Sequence, residues 1–463
     1  MKKAVIDKLA TIVGNDFVLT GTDQLESYIY DEVEESYRPI ADKNSIVVKP
    51  NDTQETAAIL RLAYEFDIPV VVRGGGTGLC GGCTPVVQSI IISMERMNRI
   101  FEIDDKNMVA ELEAGVTLMD LLDELENYDS LSFPVHPGDE GAQMGGMAVT
   151  NAGGARAVRH GVMRKHIMGL EVVLPNGEIL KLGGKLAKNN AGYNLLQLIL
   201  GSEGTLAVVT KVWLKIYPKD DYTATLVAPF ERISDACQAV MDILKSGYLP
   251  LAVEYMDKYL FTGTAEMLGL KWQAEKGKAD LLIILSENSE DALYNTCRKI
   301  NEICKKNQAY DLLFAGKKKE QDELLQVRSQ HYEFIKETIY DSFDMAVPVS
   351  EVPDFIADLK KLAAQYNTNT NIVAHIADGN VHNDILYIDG KAPSYAEELK
   401  RKMYDACFSY NGTITGEHGI GKIRVKDLKL QKSESELALM KGIKGVFDPK
   451  NLLNPGAVFD SDS

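Results

Sequence analysis

Arg73-Gly-Gly-Gly-Thr-Gly-Leu-Cys-Gly-Gly82 is the stretch on which the reading of the first half of the chain turns. Glycines let backbone N–H groups approach a pyrophosphate with no side chain in the way. Gly76-Thr-Gly-Leu-Cys-Gly81 even satisfies the G-x-G-x-x-G pattern of a nicotinamide-dinucleotide site. That motif, however, opens a helix. Here the loop runs into Gly82-Cys-Thr-Pro85 and then the β-like run Ser89-Ile-Ile-Ile-Ser93. The context therefore argues against a Rossmann site. A mere turn is also a poor account, because each glycine costs chain entropy.

Around this loop, buried-strand runs and helices alternate. Strand patterns occur near Ser45–Pro50, Pro69–Val72 and Met108–Glu113. Asn51–Thr56 reads as a capped helix entry followed by apolar positions 59, 62, 63 and 66, and Thr117–Glu126 reads as a second helix. Residues 1 to about 40 read as helical with acidic loops. Lys215-Ile-Tyr-Pro218 marks a boundary, beyond which a strand–helix theme repeats. Phe447–Gly456, with three turn formers in sequence, reads as an irregular docking tail. The alternation is an α/β or α+β pattern.

Two further glycine clusters accompany the first. Gly145-Gly-Met-Ala-Val-Thr-Asn-Ala-Gly-Gly154 adds Thr150 and Asn151 as hydrogen-bonding groups, and Leu200-Gly-Ser-Glu-Gly-Thr-Leu206 precedes a strand. Three such loops in one half-chain suggest one long ligand wrapped by several backbone segments.

Composition narrows the class. There are 50 Lys and Arg against 67 Asp and Glu, a formal charge of −17. Nucleic acid or an anionic membrane as main partner would need a basic surface. The opening Met-Lys-Lys is followed too soon by Asp7 and Lys8 for a signal peptide. No apolar run approaches the ~20 residues that span a bilayer. A cytoplasmic location is expected. The six cysteines, at 80, 83, 237, 297, 304 and 407, do not suggest a disulfide framework. Cys80 and Cys83 form a lone C-x-x-C, readable as a redox or metal pair or as two small residues in a crowded loop. No group of four could hold an iron–sulfur centre. The electron carrier should be an organic cofactor or a separate protein.

The C-terminal half carries a histidine–carboxylate constellation. In Ala374-His-Ile-Ala-Asp-Gly-Asn-Val-His382, Asp378-Gly379 signals a two-residue hairpin turn. That register sets His375 opposite His382, with Cβ atoms ~5 Å apart. In Thr415-Gly-Glu-His-Gly-Ile-Gly-Lys422, Glu417 can complete a two-His, one-carboxylate set for zinc, iron or manganese. His418, pointing differently, can act as a base. His136, His160, His166 and His331 read more readily as surface or loop hydrogen-bonding residues. His136 is the strongest of these for a role at the site.

The order and wording of the loops resemble the FAD-linked oxidases of the vanillyl-alcohol oxidase/PCMH flavoprotein superfamily, in the branch of D-lactate, glycolate and 2-hydroxyglutarate dehydrogenases. The resemblance covers about residue 40 to 457. It implies a PCMH-type two-part FAD-binding domain over residues 1–218, an α+β cap domain with an antiparallel sheet over 219–424, and a C-terminal segment, 425–463, returning to the FAD domain. It carries FAD contacts onto Arg73, Gly74, Gly75, Gly76, Thr77, Gly78, Gly138, Asp139, Gly145, Thr150, Asn151, Glu203, Gly204 and Asn454. Some relatives attach FAD through a histidine in the first loop; none stands here, so the FAD is expected to be non-covalent. His136-Pro-Gly-Asp-Glu140 departs from a Pro-x-x-Ser-Ser type segment of many relatives.

By the same resemblance His375, His382 and Glu417 bind a divalent metal, His418 accepts a proton and Arg328 takes the substrate carboxylate; read from the residues alone, Arg328 on a helix near a loop is equally a solvated charge. Larger-diacid enzymes often carry a lysine where this chain has Ser342, which favours a monocarboxylate such as lactate. The implied activity is oxidation of a D-2-hydroxy acid, D-lactate to pyruvate first. The implied partner is an electron-transfer flavoprotein of alpha and beta subunits, in some relatives within bifurcating or confurcating complexes with NAD and ferredoxin. Glycolate or D-2-hydroxyglutarate oxidation is the alternative chemistry. A non-catalytic flavoprotein electron-transfer subunit is the alternative class.

Overall fold

The structure, a computed structural model, describes residues 1–460. Two compact units form. The first combines Met1–Gly153, Val162–Pro218 and the chain from Glu417 onward; the second combines Gly154–Gly161 with Lys219–Gly416.

In the first unit the continuous apolar runs become buried strands. Ile46–Val48, Ile90–Ser93 and Val70–Arg73 pair in parallel, with Val47 beside Ile91 and Ile91 beside Val71. Val18–Leu19 completes this four-stranded sheet on one edge. Strands buried on both faces read as unbroken Val/Ile runs, and these do. The expected helix spans Thr53–Glu65. Asp52 caps it by accepting from the backbone N–H of Gln54 and Glu55, and Ile59, Leu60, Leu62 and Ala63 are buried. Phe66 stays 40% exposed, outside that stripe. A second, five-stranded sheet is antiparallel, in the order Ile100–Asp104, Val109–Glu113, Val208–Lys215, Ile167–Val173, Ile179–Gly183. The helix Leu118–Leu125 carries a capping box between Thr117 and Asp120.

The N-terminal stretch differs from its helical reading. Helices cover only Lys3–Val13 and Thr22–Leu25. From Glu26 the chain is irregular because it is bonded to the glycine loop: Glu32 N–H donates to the Gly78 carbonyl, and Arg73 Nη1 donates to the Tyr30 carbonyl at 2.6 Å. At the other end, helices Val425–Gln431 and Glu434–Phe447 precede an irregular tail. The tail bonds to Val70 on both sides: Val70 N–H donates to Leu452, and Asn454 N–H donates to Val70.

The second unit is built on one seven-stranded antiparallel sheet. Its order is Leu313–Ala315, Tyr222–Phe230, Ala279–Glu287, Ala252–Asp257, Ile372–His375, Asn380–Leu386, Ile339–Ala346. Its helices include Ile233–Ser246, Glu290–Lys306 and Val352–Gln365, each burying one apolar stripe.

One register corrects the sequence reading. The strands Ile372–His375 and Asn380–Leu386 pair Val373 with His382 and His375 with Asn380, so His375 does not face His382. Four residues, 376–379, make the turn instead of two. The cause is tertiary. Gly379, at φ +87°, lies so close to the Val347 carbonyl that a Cβ would stand 2.0 Å from that oxygen, and Val347 N–H donates to the Gly379 carbonyl. The neighbouring segment after Ile339–Ala346 thus fixes the wider turn. Gly379→Ala should destabilise this unit by on the order of 3 kcal/mol, from positive-φ strain plus overpacking. Chemical denaturation of the purified variant against wild type measures it; a change within 0.5 kcal/mol, the usual scatter of a surface substitution, would refute this account of the turn.

Candidate active site

The three glycine clusters converge in the first unit on one cavity of about 240 Å³. Gly74, Gly75, Gly76, Thr77 and Gly78 form one wall; Asp139, Gly145, Thr150, Glu203, Gly204 and Asn454 also line it, as do Glu417 and His418. Close backbone approach explains the glycines. A Cβ on Gly75 would lie 2.3 Å from the Gly141 carbonyl oxygen. Gly76 has φ +80°, and a Cβ there would strike the Arg73 guanidinium. Gly146 is different: a Cβ there would meet nothing within 4 Å, because the space in front of it is the cavity itself. Gln143 lines the same space with a buried Oε1 that has no partner among the described residues. Met94, Met147, Ala207 and Val209 supply apolar wall. Glycine backbone for phosphates, apolar surface for a ring and an unsatisfied polar atom fit an FAD.

Three predicted cofactor residues stand outside the lining. Arg73 buttresses the loop from behind, bonded to Tyr30 and to Cys83 Sγ at 3.4 Å. Asn151, left-handed at φ 54°, accepts from Arg164 N–H at 3.0 Å. Gly138, at φ +96°, donates its N–H to His136 Nδ1. His136 itself pairs with Glu140 at 3.1 Å. His166 is fully buried between the rings of Phe133 and Tyr217, a packing role.

Glu203 organises the segment that carries the candidate base. Its two oxygens accept from Ile420 N–H (2.9 Å) and Gly421 N–H (2.6 Å). Burial raises its pKa, opposed by those two bonds. Asn454 Nδ2 donates to the Glu203 carbonyl, and Asn454 Oδ1 accepts from Lys422 Nζ at 2.7 Å. Burial pushes Lys422 down to about 8. Glu417 lies against Gly153, where a Cβ would fall 2.4 Å from its Oε2. The His418 Nε2 is 3.9 Å from Glu417 Oε1. Lys422 and the cavity-lining Asp31 escape sequence reading, since nothing in a lone Lys or Asp marks burial. Cys80 and Cys83 form no disulfide and are buried. Burial lifts the Cys83 thiol to about 11, so it stays protonated and serves as a small wall residue.

The second unit gathers the other candidates around one carboxylate. Glu254, in the strand Ala252–Asp257, is 1% exposed and directly opposite His375. His375 Nδ1 donates to its Oε1 at 2.7 Å. Arg328, near the end of the helix Lys318–Ser329, places Nε at 2.8 Å and Nη2 at 2.6 Å from its Oε2. Burial would raise the Glu254 pKa, but His375 and Arg328 outweigh it and bring it to about 2. Arg328 is therefore no solvated charge. His331 donates from Nδ1 to the Arg328 carbonyl at 2.8 Å; burial, reinforced by the Arg328 charge, pushes it down to about 3, so it is neutral at working pH. Despite the shifted register, the His375 and His382 rings meet edge to face, 5.4 Å between centroids. His382 Nδ1 lies 3.6 Å from Asp344 Oδ1. Asp344 in turn accepts from Thr415 Oγ1 (2.8 Å) and Gly416 N–H (2.9 Å), the residues immediately before Glu417 and His418 in the chain. With Nδ1–H committed to Glu254, the His375 nitrogen suited to a metal is Nε2, and paired imidazoles suit a divalent metal. Ser342 sits opposite Asp384 in the sheet. Among the described residues no helix is long and apolar enough to cross a membrane.

Comparison with known proteins places the chain in a family. Residues 219–458 match the family of FAD linked oxidases, C-terminal domain, and residues 45–183 match the FAD binding domain family. The chain is 39% identical to a D-lactate dehydrogenase of Archaeoglobus fulgidus, over 94% of this chain and 95% of that one. It is 34% identical to the glycolate oxidase subunit GlcD of Bacillus subtilis, over 90% and 89% respectively. A D-lactate dehydrogenase of Anaerostipes hadrus is 32% identical, over 95% and 94%. The fold is that of p-cresol methylhydroxylase, matched at TM-score 0.79 over 99% of this chain and 97% of that one with 17% identity. The chain thus belongs to the FAD-linked oxidases and is an oxidoreductase of their D-lactate dehydrogenase and glycolate oxidase group.

Proposed function

We propose that the chain oxidises D-lactate to pyruvate. The observation that carries this reading is full-length similarity to a D-lactate dehydrogenase at 39% identity, joined to a site whose cationic residue, Arg328, suits one carboxylate. Bound FAD would accept the Cα hydride, which carries both electrons of the oxidation. Bound at His375, His382 and Glu417, a divalent metal (iron, zinc or manganese) supplies a Lewis acid for the α-hydroxyl. Arg328 holds the substrate carboxylate through the guanidinium edge that Glu254 leaves open. An imidazole nitrogen of His418 takes the hydroxyl proton. Glycine backbone at 74–78 and 145–146, with Thr77, Thr150 and Asn454, holds the cofactor non-covalently. Electrons then pass to a soluble electron-transfer flavoprotein, within a bifurcating or confurcating complex, in the cytoplasm. This acceptor is supported by the absence of a four-cysteine cluster and by the acidic charge balance. Glycolate is the second reading, favoured by the similarity to the glycolate oxidase subunit.

Anaerobic addition of D-lactate should bleach the flavin band of the purified protein, with slower or no bleaching by L-lactate, glycolate or D-2-hydroxyglutarate. A yellow protein that none of these acids bleaches, with metal restored, would defeat the proposal in favour of an electron-transfer subunit. His418→Asn should keep its FAD yet be reduced about 10²–10⁴-fold more slowly; reduction at the wild-type rate would remove His418 as base. Gly146→Leu puts a side chain into the cavity, its Cβ meeting nothing within 4 Å. It should purify folded by circular dichroism but colourless, and retention of stoichiometric FAD would show that the cofactor lies elsewhere.

A further inference from the structure

We infer that Glu254 is a positioning residue that sets His375 and Arg328 at once; the inference rests on the roles proposed above for those two. Glu254 sits in the interior of the seven-stranded sheet, between the strands Ala279–Glu287 and Ile372–His375. Its neighbours Ala252, Val253, Tyr255 and Met256 are all buried. A carboxylate there is costly to desolvate, and an apolar residue would serve the sheet at least as well. What an apolar residue could not do is accept from two cations or donors in opposite directions. Oε1 takes His375 Nδ1–H, and Oε2 takes both Nε and Nη2 of Arg328.

Two consequences follow from that division. The first concerns the imidazole. With its proton fixed on Nδ1, His375 has its lone pair on Nε2, the atom a metal needs, and the ring cannot turn without breaking a bond to a buried carboxylate. The second concerns the guanidinium. Its Nε–Nη2 edge is occupied, so a substrate carboxylate meets the Nη1–Nη2 edge only. His331 fixes that end of the helix through the Arg328 carbonyl, 3.4 Å of ring-to-Nη1 separation away. Metal ligand and substrate anchor are thereby held by one rigid acceptor in the middle of a sheet, which suits a site needing sub-ångström placement.

Glu254→Gln tests this in the full chain. The amide keeps the side-chain volume but has one acceptor oxygen, so with that oxygen toward Arg328 it turns its NH2 donor toward His375 Nδ1 and no longer holds the Nδ1–H tautomer. FAD content should equal wild type. Affinity for Mn²⁺ or Zn²⁺, titrated calorimetrically into metal-stripped protein, should fall about 10–100-fold, and the KM for D-lactate should rise more than kcat falls. Wild-type metal affinity together with an unchanged KM would overturn the inference. A merely structural role would lower the melting temperature without moving either quantity. Should Glu254→Gln not fold, nitrogen-15 histidine spectra of the metal-free wild-type chain decide the matter: His375 must be the Nδ1–H tautomer, and an Nε2–H tautomer overturns the inference. Failure of the wild-type chain to bind metal would instead sink the metal assignment, leaving the KM and tautomer readouts to judge Glu254.

Discussion

The carboxylate of Glu203 is the contact through which the first unit becomes a site. It sits at positive φ in the third glycine cluster, and both of its oxygens are consumed by the backbone N–H groups of Ile420 and Gly421. Residues more than two hundred positions apart are joined there without a side chain on the donating segment. Gly419 makes the fit possible, since a Cβ on it would stand 3.0 Å from Glu203 Oε1. Asn454 then closes the arrangement by bonding the Glu203 carbonyl and Lys422 together. Glu417 and His418, immediately upstream, inherit their placement on the cavity wall from these bonds. Backbone, more than side chain, carries the geometry, which is why the segment is so rich in glycine.

That economy also explains what sequence reading could and could not reach. Glycine clusters are visible as clusters, so the cavity wall at 74–78, 145–146 and 203–204 was legible before any fold was known. The stretch Asn51–Thr56 reads as a capped helix entry and Asp52 caps the helix there, and the helix read over Thr117–Glu126 forms with Thr117 as its cap. The stretch after Leu25 was not legible. Its conformation comes from bonds to the glycine loop at Gly78 and Arg73, and local propensity says nothing about such partners. Lys422 and Asp31 belong to the same category. A charged residue gives no sign in sequence that backbone will surround it, as the Gly82 and Thr84 carbonyls do Lys422 and the Val33 N–H does Asp31.

Glu254 is the sharper case. Nothing in Leu251-Ala-Val-Glu-Tyr-Met-Asp257 marks Glu254 for a role at a site. Its partners lie 74 and 121 residues downstream, and only the strand order of the sheet brings them together. Arg328 suffered the converse ambiguity. On a helix rich in Lys and Glu it was readable as a solvated charge. Burial of Glu254 makes that impossible, because a fully buried carboxylate needs a cation.

The hairpin error is instructive because it left the histidine pair intact. Asp378-Gly379 is a strong local signal for a two-residue turn, but Gly379 is bound by the main chain at Val347, and the turn widens to four residues. Pairing shifts by two positions, from His375 facing His382 to Val373 facing it. Side chains alternate between faces with a period of two, so a shift of one would have sent the two histidines to opposite faces of the sheet. A shift of two only turns a direct pair into a diagonal one. Diagonal neighbours on one face are within reach of large rings, and the imidazoles meet at 5.4 Å. Facing Asn380 instead of His382, His375 also has its flank toward Glu254 on the other neighbouring strand. The parity of the register, not its exact value, is what the two-histidine arrangement requires, and parity is the part that the alternation of the sequence controls.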